Sequence, residues 1–125
     1  TLDAPVADLL PSVSIYNPWA NTHHIRLRHL LDHTAGLDDA RLWQIFSLRP
    51  APDTPLRAAV PLWLEARSPP GTRFSYSNTG YTLLGHVIET LTGQRYEAYL
   101  DANLLVPLGL RDSTFGFVTQ ARDER

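Results

Sequence analysis

The segment PPGTRFSYSNTGYTLLGH, residues 69–86, decides the fold of this chain. It opens with prolines, a glycine and small polar residues, which are typical of a turn. Tyr76 and Asn78 follow, and an apolar periodicity begins directly after them. The segment therefore delivers a phenol and an amide to the start of an amphipathic helix, where they can form the rim of a site. It contains no obvious pair of residues that would activate a nucleophile.

The apolar periodicity predicts that this helix spans residues 78–92. Its stripe is wide, which indicates a central helix, and consists of Tyr81, Leu84, Ile88 and Leu91, flanked by Leu83 and Val87. Gly85 would let a neighbouring backbone approach closely. Gly93 is expected to end the helix.

Shorter helices are predicted on both sides of the central helix. One covers residues 26–34 and is ended by Gly36 in a left-handed conformation. Three more follow from caps, prolines and apolar spacing: one capped by Asp38 and Asp39 with Leu42, Ile45 and Phe46 inward, one from Thr54 to Val60, and one over residues 95–105.

The remaining stretches favour little regular structure. Residues 1–24 and 61–76 are expected to be mostly irregular, with one short turn between Asp3 and Leu10. The only strand candidate is Thr114–Val118. The chain is therefore predicted to be mainly α and to form a single domain over residues 1–125.

Several collinear stretches resemble the serine β-lactamase and penicillin-binding-protein superfamily. Tyr76-Ser77-Asn78 is similar to the Tyr-x-Asn motif of the class C β-lactamase and esterase branch. Further similar stretches are LDAPV at 2–6, IRLRHLLDHTAGL at 25–37, GQRY at 93–96 and PLGL at 107–110. The resemblance runs from about residue 2 to about residue 117. It implies the helical subdomain of a β-lactamase- or transpeptidase-like α+β fold.

The chain departs from the family at the nucleophile. The family's serine lies in Ser-x-x-Lys, but all eleven basic residues here are arginines, so no serine of this chain can begin that motif. The family's third motif, Lys/His-x-Gly, is also missing. We therefore expect an internal fragment of a longer serine hydrolase, inactive alone because the nucleophile and oxyanion hole lie elsewhere.

The resemblance implies a role for two residues. Tyr76 would be the catalytic general base and acid for the missing serine, and Asn78 would bind the acyl-side amide of the substrate. A phenol titrates near ~10 in water, so Tyr76 would need cationic neighbours or hydrogen-bond donors to act near neutral pH. Ser77 is assigned no chemistry, and no cofactor or metal is expected.

Two other functions are open to the sequence. A helical module derived from such a hydrolase could serve only in binding or oligomerisation. His29 and His33 are four residues apart and could bind zinc from one helix face, although packed or capping histidines are the simpler interpretation. The tryptophans are expected to anchor the core or a domain contact, with a substrate cleft as the alternative: Trp19, Trp43 and Trp63.

Composition restricts the partners. The net charge is −2 and the arginines are scattered, so no patch indicates nucleic acid. No apolar run approaches the ~20 residues that span a bilayer. We expect contacts with the rest of a parent enzyme, or self-association, through apolar groups at residues 13–19, 62–64 or 104–110. The compartment is undetermined, and the resemblance is compatible with the bacterial periplasm or secretion.

Overall fold

A computed structural model describes residues 1–41, 51 and 54–116 of the chain. Two short strands lie among its helices, and most of the helices are short as well. In order they are α1 (Val6–Leu9), β1 (Ile15–Tyr16), α2 (Leu27–Leu31), a 3-10 helix (Leu56–Ala59), β2 (Leu64–Glu65), α3 (Asn78–Thr92), α4 (Tyr96–Leu100) and a π-helical turn (Asp101–Leu105).

The central helix α3 has the predicted bounds. Ser77 caps its N-terminus, and Gly93 ends it with a left-handed φ of 68°. Only glycine adopts that conformation without strain from a Cβ atom. The predicted helix over 78–92 and its glycine stop are both confirmed.

The wide apolar stripe of α3 serves two surfaces. Leu83 and Val87 are buried in the core. Leu84 and Ile88, one position further along, line an open apolar groove on the adjacent face. Tyr81 and Leu91, which the sequence analysis placed in the same stripe, are 51% and 65% exposed.

The hydrophobic core collects around the buried face of α3. Its members come from α1, α2, β2 and α3 and from the loops between them: Val6, Leu10, Ile25, Leu30, Ala35, Leu37, Leu64, Ala66, Leu83 and Val87. Of the two glycines within α3, Gly80 is the one that faces a neighbouring backbone. A Cβ there would lie 3.4 Å from the Leu30 carbonyl oxygen, whereas Gly85 faces the side chains of Leu56 and Tyr96 rather than a backbone.

Two regions predicted to be irregular contain a small parallel sheet. Ile15 pairs with Leu64 and Tyr16 pairs with Glu65. Isolated bridges join Pro5 to Arg26 and Leu37 to Ala66. Two-residue strands are too short to show an alternating pattern, so the sequence carries no local signal for them.

The fold class predicted from sequence, mainly α, is wrong. Of the residues that the structure describes, 36% are helical and 8% are in strands or bridges. The helical content is lower than predicted because several helices are shorter than the sequence indicated. The helix predicted over 26–34 ends at Leu31, and the one predicted from Thr54 is a single 3-10 turn.

The other predictions have mixed outcomes. The helix predicted over 95–105 exists as α4 followed by the π-helical turn. Residues 114–116 of the strand candidate form no strand. The rest of that candidate and the predicted inward residues Leu42, Ile45 and Phe46 lie outside the described residues, as does Trp43.

Candidate functional site

The loop that carries Tyr76 is fixed by backbone pairing with the segment after α2. The Gly71 N–H donates to the Thr34 carbonyl (2.8 Å), and the Ser75 N–H donates to the His33 carbonyl (2.8 Å). Gly71 has a φ of 84°, so the turn uses the left-handed conformation that glycine permits. These contacts place Tyr76 next to the start of α3.

Ser77 holds the junction between this loop and α3. Its Oγ accepts from the Gly80 N–H (3.4 Å) and donates to the Asp38 carbonyl (3.0 Å). A serine oxygen at this position satisfies one of the free N–H groups of the first helical turn. The N-cap of α3 is therefore Ser77.

Tyr76 and Asn78 form a hydrogen-bonded pair at the surface. The Tyr76 hydroxyl donates to the Asn78 Oδ1 at 3.2 Å. Tyr76 is 58% exposed, so its hydroxyl is open to a partner. Asn78 is the first residue of α3, so the helix fixes the position of its backbone.

Asp39 is the residue that sequence reasoning missed at this site. One carboxylate oxygen accepts from the Asn78 backbone N–H (2.6 Å), and the other accepts from Asn78 Nδ2 (3.2 Å). Partial burial on its own would raise the pKa of Asp39. The hydrogen bonds from Asn78 and Ala40, together with His33, outweigh that burial and hold the pKa below its ordinary value.

His33 organises the other side of the pair. Its Nδ1 accepts from the Ser77 N–H at 3.2 Å. Its ring lies against the rings of Tyr76 (centroids 4.5 Å apart), Tyr81 (5.2 Å) and Phe74 (5.7 Å). A φ of 59° places this residue in the left-handed region, which is uncommon for a residue with a Cβ. Strain of this kind is often found at functional sites.

His29 and His33 do not share a helix face, because α2 ends at Leu31. The Nδ1 of His29 accepts from the Arg26 N–H (3.2 Å), and burial is the main cause of its lowered pKa. This is the capping role that the simpler interpretation predicted for His29. In the part of the chain that is described, no cluster of three or more histidine, cysteine or acidic side chains could hold a metal ion.

An apolar groove of about 660 Å³ begins at Asn78 and runs along α3. Its walls are mostly leucines and aromatic rings: Leu27, Leu31, Leu56, Leu84, Ile88, Tyr96, Leu100 and Phe115. The two tryptophans that the structure describes lie elsewhere. Trp19 packs against the core, in agreement with the anchor interpretation, and Trp63 is exposed and stacks on Tyr16 with ring centroids 6.1 Å apart.

The described helices include none long and apolar enough to cross a membrane. The contacts described above join a phenol, an amide, a carboxylate and an imidazole in one site. Together they can exchange a proton at the Tyr76 hydroxyl and present amide hydrogen-bonding groups beside it.

Comparison with known proteins identifies the family. The beta-lactamase family model matches residues 1–125. Penicillin-binding protein 4 of Amycolatopsis lactamdurans is 34% identical over 115 residues, which cover 90% of this chain and 29% of that protein.

Solved structures give the same result. A penicillin-binding protein from Bacillus halodurans matches with a TM-score of 0.73 and 30% identity, covering 98% of this chain and 36% of that one. An octameric penicillin-binding protein homologue from Pyrococcus abyssi matches with a TM-score of 0.65 and 28% identity, covering 89% and 26%.

The chain thus spans a minor part of the length of each of these proteins. Its structural neighbours fit an α+β fold, which agrees with the helix and strand content described above. The match of the family model to the whole chain, supported by these relatives, shows that the chain belongs to the serine β-lactamase and penicillin-binding-protein superfamily.

Proposed function

We propose that this chain supplies the tyrosine–asparagine part of an active site that hydrolyses an amide, lactam or ester through an acyl-enzyme. The superfamily to which it belongs is one of β-lactamase-like hydrolases. The observation that carries the proposal is the exposed pair of Tyr76 and Asn78, joined by a 3.2 Å hydrogen bond at the start of α3.

The proposed roles follow from the chemistry of the two side chains. Tyr76 takes a proton from a nucleophilic serine outside this chain and later returns a proton to the leaving group. Asn78 donates from its amide to the acyl-side carbonyl of the substrate. Proton transfer of this kind typically contributes ~10²–10⁴-fold to the rate.

The chain contains no lysine, so it cannot provide the Ser-x-x-Lys nucleophile of the family. We expect the 125-residue chain to be an internal fragment that is inactive alone. The first test is incubation of the purified chain with a fluorescent penicillin, followed by mass spectrometry. We expect no covalent adduct, and a serine-linked adduct would overturn the proposal.

The second test uses the longer protein that contains these residues together with a Ser-x-x-Lys motif. We expect Tyr76→Phe to lower kcat for a chromogenic ester or cephalosporin by ~10²–10⁴-fold. Tyr16→Phe is the control, because Tyr16 lies in β1 and stacks on Trp63. Equal rates for the wild type and Tyr76→Phe would remove Tyr76 from the chemistry.

A non-catalytic binding or oligomerisation module is the second candidate. Exposed apolar side chains favour it: Tyr16, Leu62, Trp63, Val106 and Leu108. The coding sequence on both sides of this segment distinguishes the two candidates. Ser-x-x-Lys roughly 20–30 residues upstream, the position expected from the family resemblance, supports the enzyme, and its absence supports the module.

A further inference from the structure

We propose that Asp39 is a positioning residue that fixes the Asn78 amide with its carbonyl oxygen toward Tyr76 and its NH2 group away from it. Asp39 lies 39 residues before Asn78 in sequence and belongs to none of the motifs by which the family was recognised. The functional meaning of this orientation rests on the proposed role of Tyr76 and Asn78, but the orientation itself can be tested separately.

The geometry holds Asn78 at two points. The Asp39 carboxylate accepts from the backbone N–H of Asn78 at 2.6 Å and from its Nδ2 at 3.2 Å. An ionised carboxylate can only accept hydrogen bonds, so the side of the amide that faces it must be the NH2 group. The Asn78 Oδ1 then points the other way, where it accepts from the Tyr76 hydroxyl at 3.2 Å.

The location of Asp39 favours the ionised carboxylate. Asn78 is the first residue of a 15-residue helix, and its backbone N–H is one of the donors that a helix leaves without an intrahelical partner. The positive end of the helix dipole stabilises an anion at this position. The hydrogen bonds from Asn78 keep the pKa of Asp39 low, so the orientation persists at neutral pH.

The fixed orientation gives each hydrogen-bonding group of the Asn78 side chain a different partner. Its oxygen accepts from the Tyr76 phenol, and one amide hydrogen is donated to Asp39. The second amide hydrogen can be donated to a carbonyl oxygen of the substrate. An amide rotated by 180° would offer Tyr76 a donor instead, and the phenol could no longer donate its proton in that direction.

The test is an NMR titration of the purified chain between pH 2 and pH 8 (a range that brackets the ordinary carboxyl pKa of about 4). We expect the backbone N–H and both side-chain NH2 signals of Asn78 to move together, with one midpoint below the ordinary value for an aspartate. A hydrogen-bond scalar coupling from the Asn78 amide nitrogen to the Asp39 carboxyl carbon should appear above that midpoint and disappear below it.

Asp39→Asn and Asp38→Asn form a matched pair of variants, because each removes one negative charge from neighbouring exposed positions. The Asp38 carboxylate pairs with Arg67 at 3.0 Å rather than with Asn78. We expect Asp39→Asn to abolish the common titration of the Asn78 signals and Asp38→Asn to retain it. Asp39→Glu should restore part of it, because the carboxylate is present but displaced.

Three results would overturn the proposal. They are Asn78 signals that do not titrate in the wild type, titration that survives Asp39→Asn, or equal effects of the two variants. The wild-type titration decides the question even where a variant fails to fold. Because no turnover is measured, these results are independent of the Tyr76→Phe test, so the positioning role and the proposed activity can fail separately.

Discussion

His33 shows how a single residue can fix a loop from two sides. Its carbonyl accepts from the Ser75 N–H and its Nδ1 accepts from the Ser77 N–H. The left-handed backbone of His33 costs roughly 1–2 kcal/mol for a residue with a Cβ. The two hydrogen bonds and the stacking on Tyr76 offset that cost.

Ser77 offers a test of this junction by stability. We expect Ser77→Ala to lower the free energy of unfolding by about 0.5–2 kcal/mol, because the variant loses the N-cap of α3. It also loses the hydrogen bond to the Asp38 carbonyl. The measurement is urea unfolding followed by circular dichroism.

The control for this substitution is Ser75→Ala. Ser75 is exposed, and its backbone bond to His33 survives the change. The control should alter the free energy of unfolding by less than ~0.5 kcal/mol, as is usual for surface positions. Equal losses for the two serines would show that the cap does not stabilise the helix.

At the scale of elements, two glycines have the same backbone conformation but different surroundings. Comparing them distinguishes the backbone strain of a substitution from the steric clash of an added Cβ atom. Gly36 and Gly93 have φ values of 75° and 68°. A Cβ at Gly93 would meet no atom within 4 Å, whereas a Cβ at Gly36 would lie 2.5 Å from the Ser68 carbonyl oxygen. Gly36 therefore joins the segment after α2 to the loop before α3.

The two alanine variants should differ accordingly. Gly93→Ala is expected to lower the free energy of unfolding by about 1–2 kcal/mol, which is the strain of a residue with a Cβ in the left-handed conformation. Gly36→Ala should cost more, because a backbone oxygen must also move. Thermal or urea unfolding of both variants measures the difference. If Gly36→Ala lowers the free energy of unfolding no more than Gly93→Ala does, the loop around Ser68 can move away at no measurable cost in stability.

The elements also show what sequence can predict. The bounds of α3 could be predicted because apolar spacing and Gly93 are local signals. The left-handed conformation of Gly36 was also predicted, but its role as a helix stop was wrong, because α2 ends at Leu31. The pairing of Ile15 with Leu64 could not be, because two residues carry no periodicity and their partners lie far away in sequence.

The same distinction between local signals and distant contacts applies to the site. Tyr76 and Asn78 are adjacent to a recognisable helix start, so the sequence could single them out. The contact of Asn78 with Asp39 spans 39 residues and depends on tertiary packing. His33 was read as a helical neighbour of His29, and only the early end of α2 at Leu31 turns its ring toward Tyr76.

For the whole molecule, the distribution of apolar surface is uneven. The core lies around one face of α3, while Leu62 is fully exposed and Trp63 is 68% exposed directly before β2. A further exposed apolar run follows the π-helical turn, with Val106 at 73% and Leu108 at 64%. Contiguous apolar patches on a monomer usually mark an interface, and these exposed side chains are the candidates for one here.

We therefore expect the purified chain to associate with itself as its concentration rises. Sedimentation velocity across a concentration series measures this directly. Replacing Leu62 and Trp63 together with serine should shift the equilibrium toward the monomer, because burial of their apolar area drives association. Leu91→Ser is the control, since Leu91 is also exposed but lies on α3, outside the three apolar segments. A chain that remains monomeric at every concentration would contradict the prediction, and an equal shift in the control would show that the interface is elsewhere.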